Sequence, residues 1–265
     1  MTFLSRIPLV TACAVMLVGV LIATQEVAPH VTPKPRVLVF SKTATFRHDS
    51  IPEGIACVRE VLAPDVEVVA TEDATQFTSE NLKGFRAVVF LSTTGDVLDP
   101  QQQFAFQEFV EAGGGFAGIH AASDTEHEWP WFVELVGAHF AGHPDVQIAT
   151  IIVEDHSHPS TAMLPSRWQR TDEWYRFNRN PRKVEGIHVL ASLDETSYEG
   201  GAMNGDHPCV WWRMMKKGRS WYTAGGHTKA SFSEPLFREH IKRGILWAAN
   251  LQPQRAQPIP APSPK

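Results

Sequence analysis

Apolar residues alternate between two rhythms along the first half of this chain. Arg36-Val37-Leu38-Val39-Phe40-Ser41 and Ala87-Val88-Val89-Phe90-Leu91 are short, almost uninterrupted apolar runs, the pattern of strands buried on both faces. Val66 to Ala70 and Phe116-Ala117-Gly118-Ile119 predict two more. Between them the spacing becomes helical. Ile51, Ile55, Val58, Val61 and Leu62 share one helix face, which Pro64 closes. Ser79 is placed to cap a short helical turn leading to Phe85. Asp99-Pro100 starts a helix through Phe104, Phe106, Phe109 and Val110, and Gly113-Gly114-Gly115 ends it. Strands without a polar face, alternating with helices, predict an α/β domain with a mostly parallel sheet covered on both sides.

The second half is less regular. Ile148 to Val153, Val189 to Ser192, Val210 to Arg213 and Arg219 to Ala224 predict strands, several of them antiparallel. Ser233-Glu234-Pro235 opens a last helix through Ile241, Ile245 and Trp247. The ends follow other rules. Arg6 precedes an apolar run from Ile7 to Ala23. A signal-peptide core has about 7–15 apolar residues and a spanning helix about 17–25, and this run falls between them. Residues 1–23 are therefore expected to be a signal peptide or a membrane anchor. The protein is exported, to the periplasm or beyond, or held by an uncleaved N-terminal segment. Residues 24–35, with Pro29, Pro33 and Pro35, read as a linker, and residues 252–265, with five prolines, as a disordered tail. One domain, 36–251, is left between them.

Composition narrows the function. Hydrophobic residues make up 43% and charged residues 20% of the chain, ordinary for a globular protein. The net charge is −5, and basic runs such as Arg179-Asn180-Pro181-Arg182-Lys183 are short, so a nucleic-acid partner has no electrostatic support. The membrane enters only through the N-terminal segment. Of Cys13, Cys57 and Cys209, Cys57 sits in a helical pattern and reads as core. A body of this size needs no disulfide framework.

Histidine carries the candidate chemistry. In an open parallel sheet, ligands bind beyond the carboxyl ends of the strands. Three of the 12 histidines fall there: His48 after the first strand, His120 at the end of the fourth, and His227 after the last. Gly118 before His120, and Ala121-Ala122 after it, suit a tight turn that lifts one side chain above the sheet, as a nucleophile elbow does. Three imidazoles and a water form a known catalytic arrangement, so a divalent metal such as zinc is the cofactor that His48, His120 and His227 would take. The plainer alternative is three polar loop residues bonded to backbone. His139 and His143, four apart, would share a helix face, but Gly142 and Pro144 argue that the helix ends there. His156, His158 and His207 lie in polar surroundings, and His30, His188 and His240 read as ordinary.

The segments Arg36–Ser50, Gly113–Thr125, Leu135–Pro144, Asp172–Phe177, His207–Arg213 and Gly225–Thr228 together resemble the ThuA-like family, named for trehalose utilisation. The resemblance runs from about Arg36 to Leu251 and implies the class I glutamine amidotransferase-like fold, a flavodoxin-like sheet with helices on both sides. In amidotransferases the elbow carries a cysteine, and the last strand leads to a histidine and a glutamate. Here His120 stands at the elbow, His227 at the second place, and Thr228 where the pattern would lead to proline and glutamate. The cysteine-based amide chemistry is therefore lost. The resemblance implies sugar catabolism, of oxidised (keto) glycosides.

On that footing the expected partner is a small carbohydrate and the expected activity a hydrolase or lyase. His120 and His227 would transfer protons or bind metal. Arg47 and His48 would position the substrate, with Trp174 and Tyr175 in contact with it. Glu173, whose aromatic neighbours can desolvate it, or Asp124, four residues past His120, would be the acid/base. Trp129, Trp131, Trp174, Trp211 and Trp212 lie near the motifs, and sugar rings stack on such faces. Ser123, three residues past the apex, would face along the helix, against a serine-hydrolase reading. The rival readings are a non-catalytic sugar-binding module and an exported scaffold.

Overall fold

The computed structural model describes residues 33–63 and 65–251. The predicted segment 1–23, the linker through residue 32, Pro64 and the tail 252–265 lie outside them. Pro33–Pro35 lead without regular structure into the first strand.

The first half builds as its pattern predicts. Strands β1 (Arg36–Phe40), β2 (Glu67–Thr71), β3 (Ala87–Leu91) and β4 (Gly115–Ile119) alternate with helices α1 (Ile51–Leu62), α2 (Ser79–Leu82) and α3 (Pro100–Glu111). Every residue of β3 and β4 is buried, so both faces of these strands are covered. The α3 start is a capping box: Asp99 Oδ1 accepts from the amides of Gln101 and Gln102, and the Gln102 side chain accepts from the Asp99 amide. At α2 the cap is Thr78, one residue earlier than expected, its hydroxyl accepting from the Asn81 amide.

After α4 (Pro130–Val136) come β5 (Phe140–Gly142), β6 (Gln147–Val153), β7 (Arg167–Asp172), β8 (Arg176–Phe177), β9 (Ile187–Leu193), β10 (His207–Met215), β11 (Gly218–Thr223) and α5 (Pro235–Ala248). Nine strands form one sheet in the order β2-β1-β3-β4-β11-β10-β9-β6-β7, and β5 pairs with β8 in a small ribbon. From β2 to β11 neighbours are parallel. Beyond β11 each neighbour is antiparallel. Four reversals return β7 to the direction of β11, so Asp172 ends at the same sheet edge as Phe40, Ile119 and Thr223. The pattern did not reveal β7, because Arg-Trp-Gln-Arg-Thr-Asp buries only alternate residues at the sheet's edge.

Phe40, Phe77, Phe90, Phe106, Phe116 and Phe132 pack ring against ring over the parallel half, with Phe90 in contact with each of the others. A cavity of about 680 Å³ lies by α2 and α3, lined by Leu82, Phe85, Phe109, Gly113 and Gly114. Gly113 and Gly114 precede β4, which places this cavity at the amino ends of the strands, the edge opposite the histidines. Cys57 and Cys209 are both buried and free. Among the described residues, no helix is long and apolar enough to cross a membrane.

Candidate functional site

The turn after β4 holds His120 in a left-handed conformation, φ 54°, which costs a non-glycine residue about 1–3 kcal/mol. Two features stabilise it. The Tyr222 hydroxyl donates to the His120 carbonyl at 2.8 Å. Gly118 leaves room for the returning chain, since a Cβ there would lie 2.9 Å from the Tyr222 ring and 3.2 Å from Ala122. The chain continues as a 3-10 turn, His120–Asp124, with Ser123 buried against the Tyr222 hydroxyl at 2.9 Å.

His120 is fully buried, and its Nδ1 lies 2.8 Å from the Ala224 carbonyl. A carbonyl only accepts, so Nδ1 carries the hydrogen. Burial, reinforced by His48, holds the ring well below the usual imidazole pKa, so it is neutral and Nε2 presents a lone pair. Around that nitrogen stand the Tyr175 hydroxyl at 2.9 Å, His48 Nε2 at 3.1 Å and Glu173 Oε2 at 3.6 Å. One lone pair cannot serve all three.

His48 arrives from the loop between β1 and α1. Its ring meets those of His120 and His227 edge-on, at centroid distances of 4.7 and 5.2 Å. Burial first, then His227, brings its pKa down to about 4, and its buried Nδ1 has no partner. His227 follows β11 on Gly225-Gly226. Its Nδ1 lies 3.1 Å from Glu173 Oε2 but out of hydrogen-bond alignment. The carboxylate raises the His227 pKa.

Asp172, which the sequence pattern does not single out, fastens these pieces together. It is fully buried at the carboxyl end of β7. Oδ1 accepts from the amides of Glu173 and His227, both at 3.0 Å. Oδ2 accepts from the Gly226 amide at 2.8 Å and the Ser231 hydroxyl at 3.1 Å, and pairs with Arg170 at 3.0 Å. Arg170 also holds Glu234 through two bonds. Asp172 thus sets the backbone positions of both Glu173 and His227.

His48, His120, Glu173 and His227 each offer one ligand atom, and these atoms all lie within 4.8 Å of one another. They come from four separate strand ends. The group could hold a metal ion. Tetrahedral ligands about 2.0–2.1 Å from zinc stand roughly 3.3 Å apart. Three of the six separations, 3.1, 3.1 and 3.6 Å, bracket that value, and the others lie within 4.8 Å. The Ala224 carbonyl behind His120 is the backing that metal-ligating histidines use to fix their tautomer.

The other expected site residues divide. Tyr175 joins the site, its phenol pushed well above the usual range by burial and Glu173, so the hydroxyl remains a donor. Trp174 does not. It is buried, with its indole N–H donating to the Gln147 carbonyl at 2.9 Å, so it packs the fold rather than meeting a ligand. Arg47 is exposed and pairs with Glu72 at 2.7 Å. Asp124 turns to His127 at 2.9 Å, and the Ala224 carbonyl orients His120 in its place. Glu173 keeps company with histidines rather than with the Trp174 ring.

His139 and His143 flank the strand β5 instead of sharing a helix. His139 Nδ1 bonds to the Ser123 carbonyl at 2.9 Å. His143, half-exposed, lies 3.1 Å from Glu173 Oε1 and enters the site by this route. His207 donates from Nε2 to the Tyr175 carbonyl at 2.7 Å while its Nδ1 meets Glu195 and Tyr198, so it positions Tyr175. Proximity to Glu173 within one motif was the only sequence signal for Asp172.

The fold is matched by solved structures. A ThuA-like protein from Bacteroides uniformis ATCC 8492 is 23% identical, with 84% of this chain and 95% of that one covered and a TM-score of 0.71. A second, from Parabacteroides merdae ATCC 43184, is 19% identical over 84% and 93%, with a TM-score of 0.69. A cytoplasmic protein of Salmonella typhimurium LT2 is 13% identical over 81% and 97%, with a TM-score of 0.54. At these identities the likeness is one of fold. No curated protein matches the chain. The family model ThuA, described as trehalose utilisation, matches residues 36–248.

Proposed function

The chain belongs to the ThuA, trehalose-utilisation family, and we propose that it is a carbohydrate-active hydrolase or lyase that takes a glycoside or keto-glycoside at a metal held by His48, His120, His227 and Glu173. The observation that carries this reading is the convergence of four donors from four strand ends within 4.8 Å. A bound divalent ion such as zinc would supply Lewis acidity toward a sugar carbonyl or hydroxyl oxygen.

The chain's own residues supply the rest. The Ala224 carbonyl keeps the His120 hydrogen on Nδ1 and its lone pair turned inward. Tyr175, pinned through its carbonyl by His207, directs a hydroxyl into the same space and can donate to a substrate oxygen. With Glu173 among the metal donors and Asp124 turned to His127, His143 takes the acid/base place that Glu173 or Asp124 was expected to fill. It is half-exposed and 3.1 Å from Glu173, and so can exchange protons with solvent. In a glycoside whose keto group is two carbons from the anomeric carbon, such a group can remove the acidic proton from the carbon between them; that C–H pair becomes a C=C bond conjugated with the carbonyl, the anomeric C–O bond breaks, and the departing oxygen takes a proton. The apolar run from Ile7 to Ala23 supports a workplace outside the cytoplasm.

The test is metal analysis of the purified protein and of His120→Ala, followed by turnover of trehalose and its keto derivative with added zinc, manganese or chelator. Bound metal in the wild type, its loss from the variant and turnover that disappears with it support the reading. Absence of metal from both samples would sink the metal, and binding without turnover would favour a sugar-binding module.

A further inference from the structure

We infer that Phe46 is the face on which a sugar ring stacks beside the histidine cluster, an inference that rests on the carbohydrate reading of that site. The aromatic rings first expected to do this are engaged elsewhere. Trp174 and Trp211 are buried. Trp129 and Trp131 lie against each other at 4.9 Å, and Trp212 is stacked on His188 at 4.1 Å. Phe46 is 62% exposed. Its ring meets His48 edge-on at a centroid distance of 4.7 Å, which places an open aromatic face next to a member of the donor set.

A single exposed phenylalanine is commonplace, so the backbone beneath it matters more. The Phe46 carbonyl accepts from the Thr94 hydroxyl at 2.7 Å, and the Ala44 amide donates to the Thr94 carbonyl at 2.7 Å. Thr43 and Thr94 bridge the two loops. Gly95, φ 71°, fits so closely that a Cβ there would lie 3.0 Å from the Thr45 methyl. The loop that presents the ring is thus locked to the loop after β3, and an apolar ring is held in water at a fixed position. Polar groups stand in the same segment: Arg47 with Glu72 at 2.7 Å, and Asp49 with Lys229 at 3.6 Å. An apolar face rimmed by hydrogen-bonding groups is what a sugar ring requires, its C–H face on the aromatic ring and its hydroxyls on the polar side chains.

Calorimetric titration of trehalose and its keto derivative into wild type, Phe46→Ala and Phe46→Trp tests this, with the metal content of each protein measured alongside. Phe46→Ala should bind the sugar about tenfold more weakly, with unchanged metal content and melting temperature, and Phe46→Trp at least as tightly as wild type. If turnover is present, Phe46→Ala should raise KM and leave kcat, because stacking away from the reacting atoms binds substrate and transition state alike. Equal affinity of Phe46→Ala and wild type would overturn the platform and leave the carbohydrate reading standing. No binding of either sugar by the wild type would overturn both.

Discussion

Replacing Asp172 by asparagine changes one atom's chemistry at the junction of fold and site. The wild-type carboxylate is fully buried and accepts from three backbone amides and the Ser231 hydroxyl besides pairing with Arg170. Asparagine can keep Oδ1 on the amides of Glu173 and His227. Its NH2 group then faces the Gly226 N–H and the Arg170 guanidinium, both donors. An unsatisfied buried N–H costs about 1–3 kcal/mol, and breaking a buried ion pair about 3–5 kcal/mol. Arg170 retains its two bonds to Glu234, which softens the second loss. The sum expected from urea unfolding is a destabilisation of about 3–5 kcal/mol. Because Asp172 places both Glu173 and His227, zinc affinity measured against a competing chelator should also fall, by about 10–100-fold. Glu234→Gln separates the two effects: it loosens Arg170 without touching the site loop, so it should cost stability and leave zinc affinity intact. Wild-type stability and affinity within twofold in Asp172→Asn would refute the clamp.

Three further outcomes follow from the same packing. His240, His139 and His158 are buried, their pKa values held down chiefly by burial to about 3, 4 and 4. In the unfolded chain they titrate near the ordinary 6.5, so stability is full above that pH and is lost as pH falls toward the folded values. At pH 5 each contributes about 2 kcal/mol of destabilisation relative to pH 7.5, and a flat urea midpoint between these pH values would contradict this. Gly225→Ala should lower the melting temperature, because the added methyl would overlap the Arg170 guanidinium, which must shift off Asp172 and Glu234 to make room; a variant with wild-type melting would show that the loop can yield. Burial pushes the Cys57 thiol up to about 11 and the Cys209 thiol higher still. Iodoacetamide with peptide mapping should therefore label both only after denaturation, and rapid native labelling would show that these helices and strands open.

How far the site could be read in advance depended on where each residue sits relative to a regular element. His48, His120 and His227 follow apolar strands that announce themselves, so the rule placing ligands at carboxyl ends found them. Trp174 misled because an aromatic residue beside a motif carries no sign of which way its ring turns. It turned inward, and Phe46, outside every tryptophan argument, turned out. Asp124 lay close to His120 in sequence, yet the 3-10 turn carried it to His127. The proline and glycine around His143 correctly argued against a helix pair, but they said nothing of the β5–β8 ribbon that brings it to Glu173.

Local pattern alone determined the strands and helices of residues 36–119 and the tight turn at His120. Each of these depends on neighbours within a few residues, where periodicity, capping and steric fit act directly. The fourth donor and the tautomer that makes the cluster usable were decided only in three dimensions. Glu173 reaches the histidines because four antiparallel reversals bring the end of β7 back to the parallel edge. His120 turns its lone pair inward because Ala224, more than a hundred residues later, offers a carbonyl to Nδ1. Burial and long-range hydrogen bonding set both, and neither has a signature in the spacing of residues along the chain.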